Sequence, residues 1–343
     1  MHTRIAVASA LFLAAVCSGP ESFGQGSLGA GKATAETAAA AKKFMGSLEE
    51  GQRGKLVFDI KDDAQRKRWS NLPTGIFKRE GLRMGDLTAA QREGAMKVLA
   101  AALSPEGYQK VVEIVTGDEM LRNGDSGGRL MFGRDEYYIS FMGQPSATEP
   151  WMIQFGGHHL ALNISLAGDQ GTLAPSHTGA QPSMYQFEGK TVRPLGREND
   201  KAFALVNALD EGQRKQAVLG AQMHDLVLGP GREGQTIQPE GIKGSALTEK
   251  QRGMMLDLVS EWTSIMNESV AKAKLEDVKQ HLSETWFAWS GPTENGSAAY
   301  FRVQGPTVII EYAPQRMGAN PTQHIHTIYR DPTNEYGSRW LAH

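Results

Sequence analysis

Cysteine, unbalanced charge and long apolar runs are nearly absent from this chain. Cys17 is the only cysteine among 343 residues. It lies in a segment that we expect to be removed, so the mature chain would have no disulfide, no zinc–cysteine site and no cysteine nucleophile. The 36 Lys and Arg residues nearly balance the 38 Asp and Glu residues, which gives no electrostatic basis for a nucleic-acid partner. No apolar run of the expected mature chain is long enough to span a membrane.

The first residues have the pattern of a secretory signal peptide. Arg4 precedes an apolar stretch over 5–16, and small or turn-forming residues follow it. We predict removal of residues 1–24 and export to the periplasm or the extracellular space. Lipid attachment at Cys17 is the less favoured alternative, because valine is a poor residue directly before a lipidated cysteine. A Gly/Ser-rich flexible linker is predicted over 25–33.

Four segments of the sequence share the pattern Leu-x-x-x-Gln-Arg. The first two are 39 residues apart and the last two are 38 residues apart. They begin at Leu48, Leu87, Leu209 and Leu247. Thr88 and Gln91 have the spacing of a helix capping box, as do Thr248 and Gln251. We therefore interpret the Gln-Arg pairs as helix starts and predict two copies of a two-helix unit.

Residues typical of β-strands follow each helical unit. Aromatic and β-branched residues occupy alternating positions over 138–164 and again over 286–312, in segments that Gly and Pro bound. We predict an α+β fold in which one globular domain, 34–343, contains two related halves. Each half, 34–200 and 201–343, would be a helical unit followed by an antiparallel β meander, and a pseudo-two-fold axis would relate the two.

Two histidine motifs in the strand regions are the most specific signals for chemistry. His324 and His326 are two residues apart, so in a strand both rings lie on one face and can bind one ion. His158 and His159 open a predicted strand, where neighbours point to opposite faces unless the preceding glycines form a turn or bulge. His177 lies alone in a loop rich in Pro, Ser and Gly. We predict that the two motifs converge on a metal site; the alternative is packed histidines that hydrogen-bond to the backbone.

Charged residues near the second motif are candidate partners for the histidines. Glu311 lies in an apolar strand, where a buried carboxylate is costly without a partner. It is therefore predicted to be a metal ligand, a general base or the ion-pair partner of Arg330. Asp331 is a second candidate base, and Arg330 is a candidate ligand for a carboxylate or phosphate on the substrate.

A serine-protease-like motif also occurs in the sequence. Residues 124–128 read Gly-Asp-Ser-Gly-Gly, as around the nucleophile of chymotrypsin-like proteases. That chemistry needs an upstream histidine as the base, and no histidine lies between the signal peptide and Ser126. We interpret the segment as a tight turn.

The residues around both histidine motifs resemble a known family. The matching segments are 151–163, 179–182, 310–312, 324–331, 335–337 and 341–343. They resemble the signatures of the bacterial family catalogued as domain of unknown function 3500, over almost the whole expected mature chain. The resemblance implies no particular reaction, because the family is defined by sequence. The chain departs from the family at 313–315 and 321–323, which puts in doubt a role for the loop between Tyr312 and His324.

Metal-dependent hydrolysis is the function that these residues favour first. His159, His324 and His326, with His158 or Glu311, would hold a zinc-like or copper-like ion and leave one position open. Water at such an ion becomes a nucleophile near neutral pH. Oxidation at copper is the second hypothesis, because all-histidine ligation also suits that metal; a non-catalytic exported binding or structural protein is the third. We expect a small-molecule or peptide substrate and no nucleic-acid partner.

Overall fold

The structure is a computed structural model that describes residues 30–124, 129–316 and 320–341. The predicted signal peptide and Ser126 lie outside the described residues, so export and signal removal stay predictions. The expected linker lies mostly outside them too. Its last four residues, 30–33, are helical, because the helical pattern of the following alanine-rich segment extends back to them.

In the described part of the chain before residue 196, five helices with two short strands between them precede the main run of strands. The helices are α1 (Ala30–Gly46), α2 (Glu50–Leu56), α3 (Asp63–Arg66), α4 (Ala89–Ala102) and α5 (Pro105–Gly124). The strands are β1 (Val57–Phe58), β2 (Leu82–Arg83), β3 (Tyr138–Met142), β4 (Trp151–Gly157), β5 (Leu160–Ala167), β6 (Gln170–Thr172), β7 (Ser176–Ala180), β8 (Tyr185–Phe187) and β9 (Lys190–Val192).

A similar order follows in the rest of the chain. The helices are α6 (Gly196–Asn207), α7 (Glu211–Ala217), α8 (Glu249–Thr263), α9 (Glu268–Gln280) and α10 (Ser338–Leu341). The strands are β10 (Ile242–Lys243), β11 (Trp286–Ser290), β12 (Tyr300–Gln304), β13 (Ile309–Pro314) and β14 (Ile325–Arg330). The fold is therefore α+β, as predicted. In the described stretches we find no helix with both the length and the apolar character that crossing a membrane requires.

The helix starts predicted from the repeated pattern are confirmed. α2, α4, α7 and α8 each begin with a capping box in which the third helical residue is glutamine. Gln91 also donates a hydrogen bond to Gln52 (2.9 Å), and Gln251 donates one to Gln213 (2.7 Å). The two helix starts within each pair are thus tied to each other.

Twelve strands form one mixed sheet in the order β1-β3-β4-β5-β7-β14-β13-β12-β11-β10, with β2 beside β3 and β6 beside β5. β7 and β14 pair antiparallel at its centre, where the hydroxyls of Thr178 and Thr327 are 2.7 Å apart. On either side of this pair the strands follow in mirrored order. Two related halves about a pseudo-two-fold axis would have this arrangement, and the duplication itself stays a prediction.

The two faces of the sheet are covered by different parts of the chain. One face packs on the long helices in a large apolar core that includes Trp262 and Tyr329. The other face packs on connecting segments in a smaller cluster that includes Trp69 and Ile328. Because side chains alternate along β14, His326 lies on the same face as Ile328, away from the helices.

Candidate functional site

His158 and His159 form the two-residue turn that joins β4 to β5, rather than the start of a strand as predicted. Gly157 pairs with Leu160 at the end of this hairpin. His159 has a backbone φ of 62°, a left-handed value that is uncommon for residues other than glycine. The turn places both rings on one side, with their centroids 3.6 Å apart. The alternation of side chains along a strand, which would have put the two rings on opposite faces, therefore does not apply.

The two histidine motifs converge as predicted. His159 and His324 are 165 positions apart in the sequence, and their Nε2 atoms are 2.9 Å apart. The Nε2 atom of His324 also lies 3.0 Å from that of His326. His326 lies in β14 and His324 directly precedes it, so both rings share one face. The three side chains, which we call the histidine triad, are 1 %, 5 % and 7 % exposed in sequence order.

The contacts within the triad cannot all be ordinary hydrogen bonds. A neutral imidazole has either a proton or one lone pair at Nε2, and His324 Nε2 touches two other Nε2 atoms. A cation would accept all three lone pairs at once. Three nitrogens about 2.1 Å from a tetrahedral zinc ion are about 3.4 Å apart, so the triad would need to open by a few tenths of an ångström. The geometry is compatible with a metal site.

The triad is also held in the protonation state that metals require. Burial, together with the neighbouring His158, lowers the pKa of His324 to about 4. Burial likewise depresses the pKa of His159 and His326 well below the usual range, and nearby histidine rings add to the effect. All three rings are therefore neutral near pH 7, and neutral imidazole is the form that binds a metal.

Asn71 contacts two residues of the triad and was missed by sequence analysis. Its backbone carbonyl oxygen accepts the backbone N–H of His159 (3.3 Å), and its side-chain Nδ2 lies 3.3 Å from His326 Nδ1. In this orientation the amide donates to Nδ1. With the amide turned round, its oxygen would instead accept an Nδ1 proton and leave Nε2 free to bind a metal. The buried Arg79 fixes this segment, because it donates to three carbonyl oxygens that flank Asn71 or precede the His158 turn.

His158 pairs with a carboxylate instead of joining the triad. Its Nδ1 lies 2.6 Å from Asp118 on α5, which is 2 % exposed. The second Asp118 oxygen accepts the Gly133 N–H (2.8 Å), so the carboxylate is fixed from both sides. With its proton on Nδ1, the ring has its lone pair on Nε2. Asp118, His158 and His159 also form a second group with ligand atoms within 4.8 Å of one another.

His177 is a further histidine beside the triad. It lies in β7 and not in a loop as predicted. The side chain is fully buried, with its ring centroid 5.1 Å from that of His326. Burial lowers the pKa of His177 to about 3. Neither ring nitrogen has a hydrogen-bond partner within the part of the chain that the structure describes.

Glu311 and Arg330 hold a connecting segment rather than the histidines or each other. Glu311 accepts two backbone N–H groups of the segment 227–229 (2.8 and 2.7 Å) and the hydroxyl of Tyr300 (2.8 Å). Arg330 donates to two carbonyl oxygens of the same segment (2.7 and 2.9 Å) and to Glu335. Both predicted site residues therefore fix this segment against the sheet.

Asp331 lies on the opposite face of the sheet from the triad. It alternates with Arg330 along the end of β14 and contacts Lys274 (2.7 Å) and the hydroxyl of Thr333 (2.6 Å). Neither Asp331 nor Glu311 belongs to the groups of described residues that are close enough to share an ion. The structure thus brings the four predicted histidines together and leaves the predicted charged residues outside.

Fold and site together define an α+β protein with a buried histidine cluster where the central strands end. A family model described as "Protein of unknown function (DUF3500)" matches residues 30–338, and the chain belongs to this family. The predicted family is therefore confirmed. Comparison with the curated proteins and with the solved structures gave no match.

Proposed function

We propose that His159, His324 and His326 bind a divalent metal ion and that the chain is a metal-dependent hydrolase. The observation that carries the proposal is the contact of three buried, neutral Nε2 atoms at 2.9 and 3.0 Å. Without an ion, His324 Nε2 cannot satisfy both neighbours. Three protein nitrogens leave a fourth position open, as is typical of catalytic rather than structural zinc sites.

The pair Asp118–His158 favours hydrolysis over electron transfer. When bound, the metal would supply an activated water. His158 lies against His159, and Asp118 holds its proton on Nδ1, so Nε2 is the nitrogen that would accept a proton from the attacking water. Asn71 would hold the His326 ring in the orientation that binding requires.

The metal content of the protein tests the proposal. We expect about one equivalent of metal in protein purified without a His tag and measured by mass spectrometry. The double variant His324→Ala/His326→Ala should lose it, because two of three ligands are absent. The matched control His224→Ala/His281→Ala removes two histidines outside the site and should keep the metal.

Several results would contradict the proposal. Wild-type protein that cannot be loaded with zinc, copper, manganese or iron would favour the non-catalytic binding protein instead. A stoichiometric copper ion that cycles between oxidation states would favour the oxidoreductase. Circular dichroism of each variant shows whether the fold survives. If the alanine variant does not fold, His324→Gln retains a polar side chain of similar reach and allows the same measurement.

A further inference from the structure

Exposed apolar side chains are concentrated on three segments of the described chain. Large apolar residues are exposed at six positions there. They are Leu72, Ile76, Leu130, Met131, Met184 and Phe187. Scattered exposed apolar residues are normal on a protein surface, whereas concentrated ones mark binding sites. The three segments, 71–76, 129–132 and 183–187, therefore need to be placed relative to the histidines.

The first residue of the segment 71–76 contacts the triad. Leu72 directly follows Asn71, which contacts His159 and His326. Leu72 is 42 % exposed and Ile76 is 58 % exposed, the highest value among the six. The apolar side chains of this segment thus start one residue from a group that touches the triad.

The segment 129–132 ends at His158. Phe132 packs on the His158 ring, with centroids 4.9 Å apart, and Met131 directly precedes it with 47 % of its surface exposed. The Met131 N–H donates to the Thr74 carbonyl (2.9 Å), which joins this segment to the first. The two segments that bear Leu72, Ile76 and Met131 are therefore directly bonded to each other.

The segment 183–187 is attached to the residues directly before His324. The Ser183 N–H donates to the Gln323 carbonyl (3.0 Å), and the Ser183 hydroxyl donates to the Thr322 carbonyl (2.7 Å). Met184, which is 48 % exposed, follows directly. Each of the three segments is thus bonded to, or packs on, a histidine of the site or its immediate neighbour.

We infer that these six side chains form an apolar rim around the histidine site, and that the rim binds the alkyl or aryl part of an amphiphilic substrate. The placement of the reacting group at the triad rests on the proposed function; the binding of an apolar chain by the rim does not. Apolar residues spread at random over the surface would not all fall on segments that border one site. A wholly polar substrate would gain nothing from burying them.

Binding of a dansyl-labelled undecanoate to the metal-free protein tests the rim. We expect its fluorescence to rise on binding to the wild type. The variant Ile76→Asp/Met131→Asp should weaken binding at least tenfold, because two charges replace apolar contact surface. The control Ala39→Asp/Ala90→Asp adds the same charge at two exposed alanines of α1 and α4 and should bind as the wild type does. Equal affinity of the rim variant and the control would overturn the inference.

A chain-length series connects the rim to the triad. Alkyl hydroxamates from acetohydroxamate to octanohydroxamate would be titrated into zinc-loaded protein. We expect affinity to rise about twofold for each methylene, which corresponds to about half of the free energy that complete burial of a methylene gives. This rise should vanish in the rim variant. Affinity that does not depend on chain length would refute the rim while leaving the metal site in place. Protein that takes up no zinc but still binds the labelled undecanoate would refute the metal site alone.

Two other occupants of the rim would also contradict the inference. If the rim joined two copies of the chain, sedimentation would show a concentration-dependent dimer that Ile76→Asp/Met131→Asp dissociates. If it met a lipid surface, the wild type would float with phosphatidylcholine vesicles and the rim variant would not. A monomer that does not float with vesicles but binds the labelled undecanoate supports the inference.

Discussion

Replacing Glu311 by alanine tests whether this residue takes part in the chemistry, as the sequence suggests, or stabilises the fold through its hydrogen bonds. The carboxylate is fully buried and accepts three hydrogen bonds, two from backbone N–H groups and one from Tyr300. Each buried donor left without an acceptor costs about 1–3 kcal/mol. Because water would enter part of the space, we expect Glu311→Ala to lower the free energy of unfolding by about 3–5 kcal/mol, against about 5–15 kcal/mol for a whole domain.

Urea unfolding followed by circular dichroism measures this loss, and metal content is measured on the same samples. We expect the folded Glu311→Ala protein to keep its metal, since Glu311 does not belong to the histidine triad. The control Glu294→Ala removes an exposed carboxylate between β11 and β12 and should change stability by less than about 0.5 kcal/mol. The reasoning is refuted if Glu311→Ala is as stable as the control but has lost its metal or its activity, since Glu311 would then take part in the chemistry.

Two further predictions concern groups beside the triad. Burial lowers the pKa of His177 to about 3, so between pH about 6.5 and pH about 3 the unfolded chain binds a proton that the folded chain does not. The metal-free protein should therefore lose about 1.4 kcal/mol of stability for each pH unit from this residue as the pH falls. His177→Phe should flatten the pH dependence of urea unfolding by that amount, and an unchanged slope would contradict it. Asp118→Asn should keep the metal but slow hydrolysis about 10–100-fold, because the amide cannot accept from both His158 and Gly133; full activity in a steady-state assay would exclude the proposed role of the pair.

Local chemistry explains which features could be predicted from the sequence. The helix starts at Thr88 and Thr248 depend on residues three positions apart, so the pattern itself contains the interaction. The shared face of His324 and His326 follows from the two-residue period of a strand. Such features require no knowledge of what the rest of the chain does.

Features that depend on tertiary packing could not be predicted in the same way. The strand rule failed for His158 and His159, because a two-residue turn follows no alternation. Asp118 reaches His158 from a helix that lies 40 positions earlier, and no motif marks it. A charge at Glu311 indicated that a partner must exist, but not that the partner would be the backbone of a segment 83 and 84 positions away.

The location of the site bears on the relation between the two proposed halves. In the first half the turn between β4 and β5 supplies His159, whereas the corresponding turn between β12 and β13 contains Pro306 and Thr307 and no histidine. In the second half, β14 supplies His326 and the residue directly before it is His324. Neither half alone contains all three histidines of the triad, so the metal site proposed there can form only once β7 and β14 have paired. If the halves arose by duplication, the site arose from their divergence, and its assembly would report that the two halves have joined.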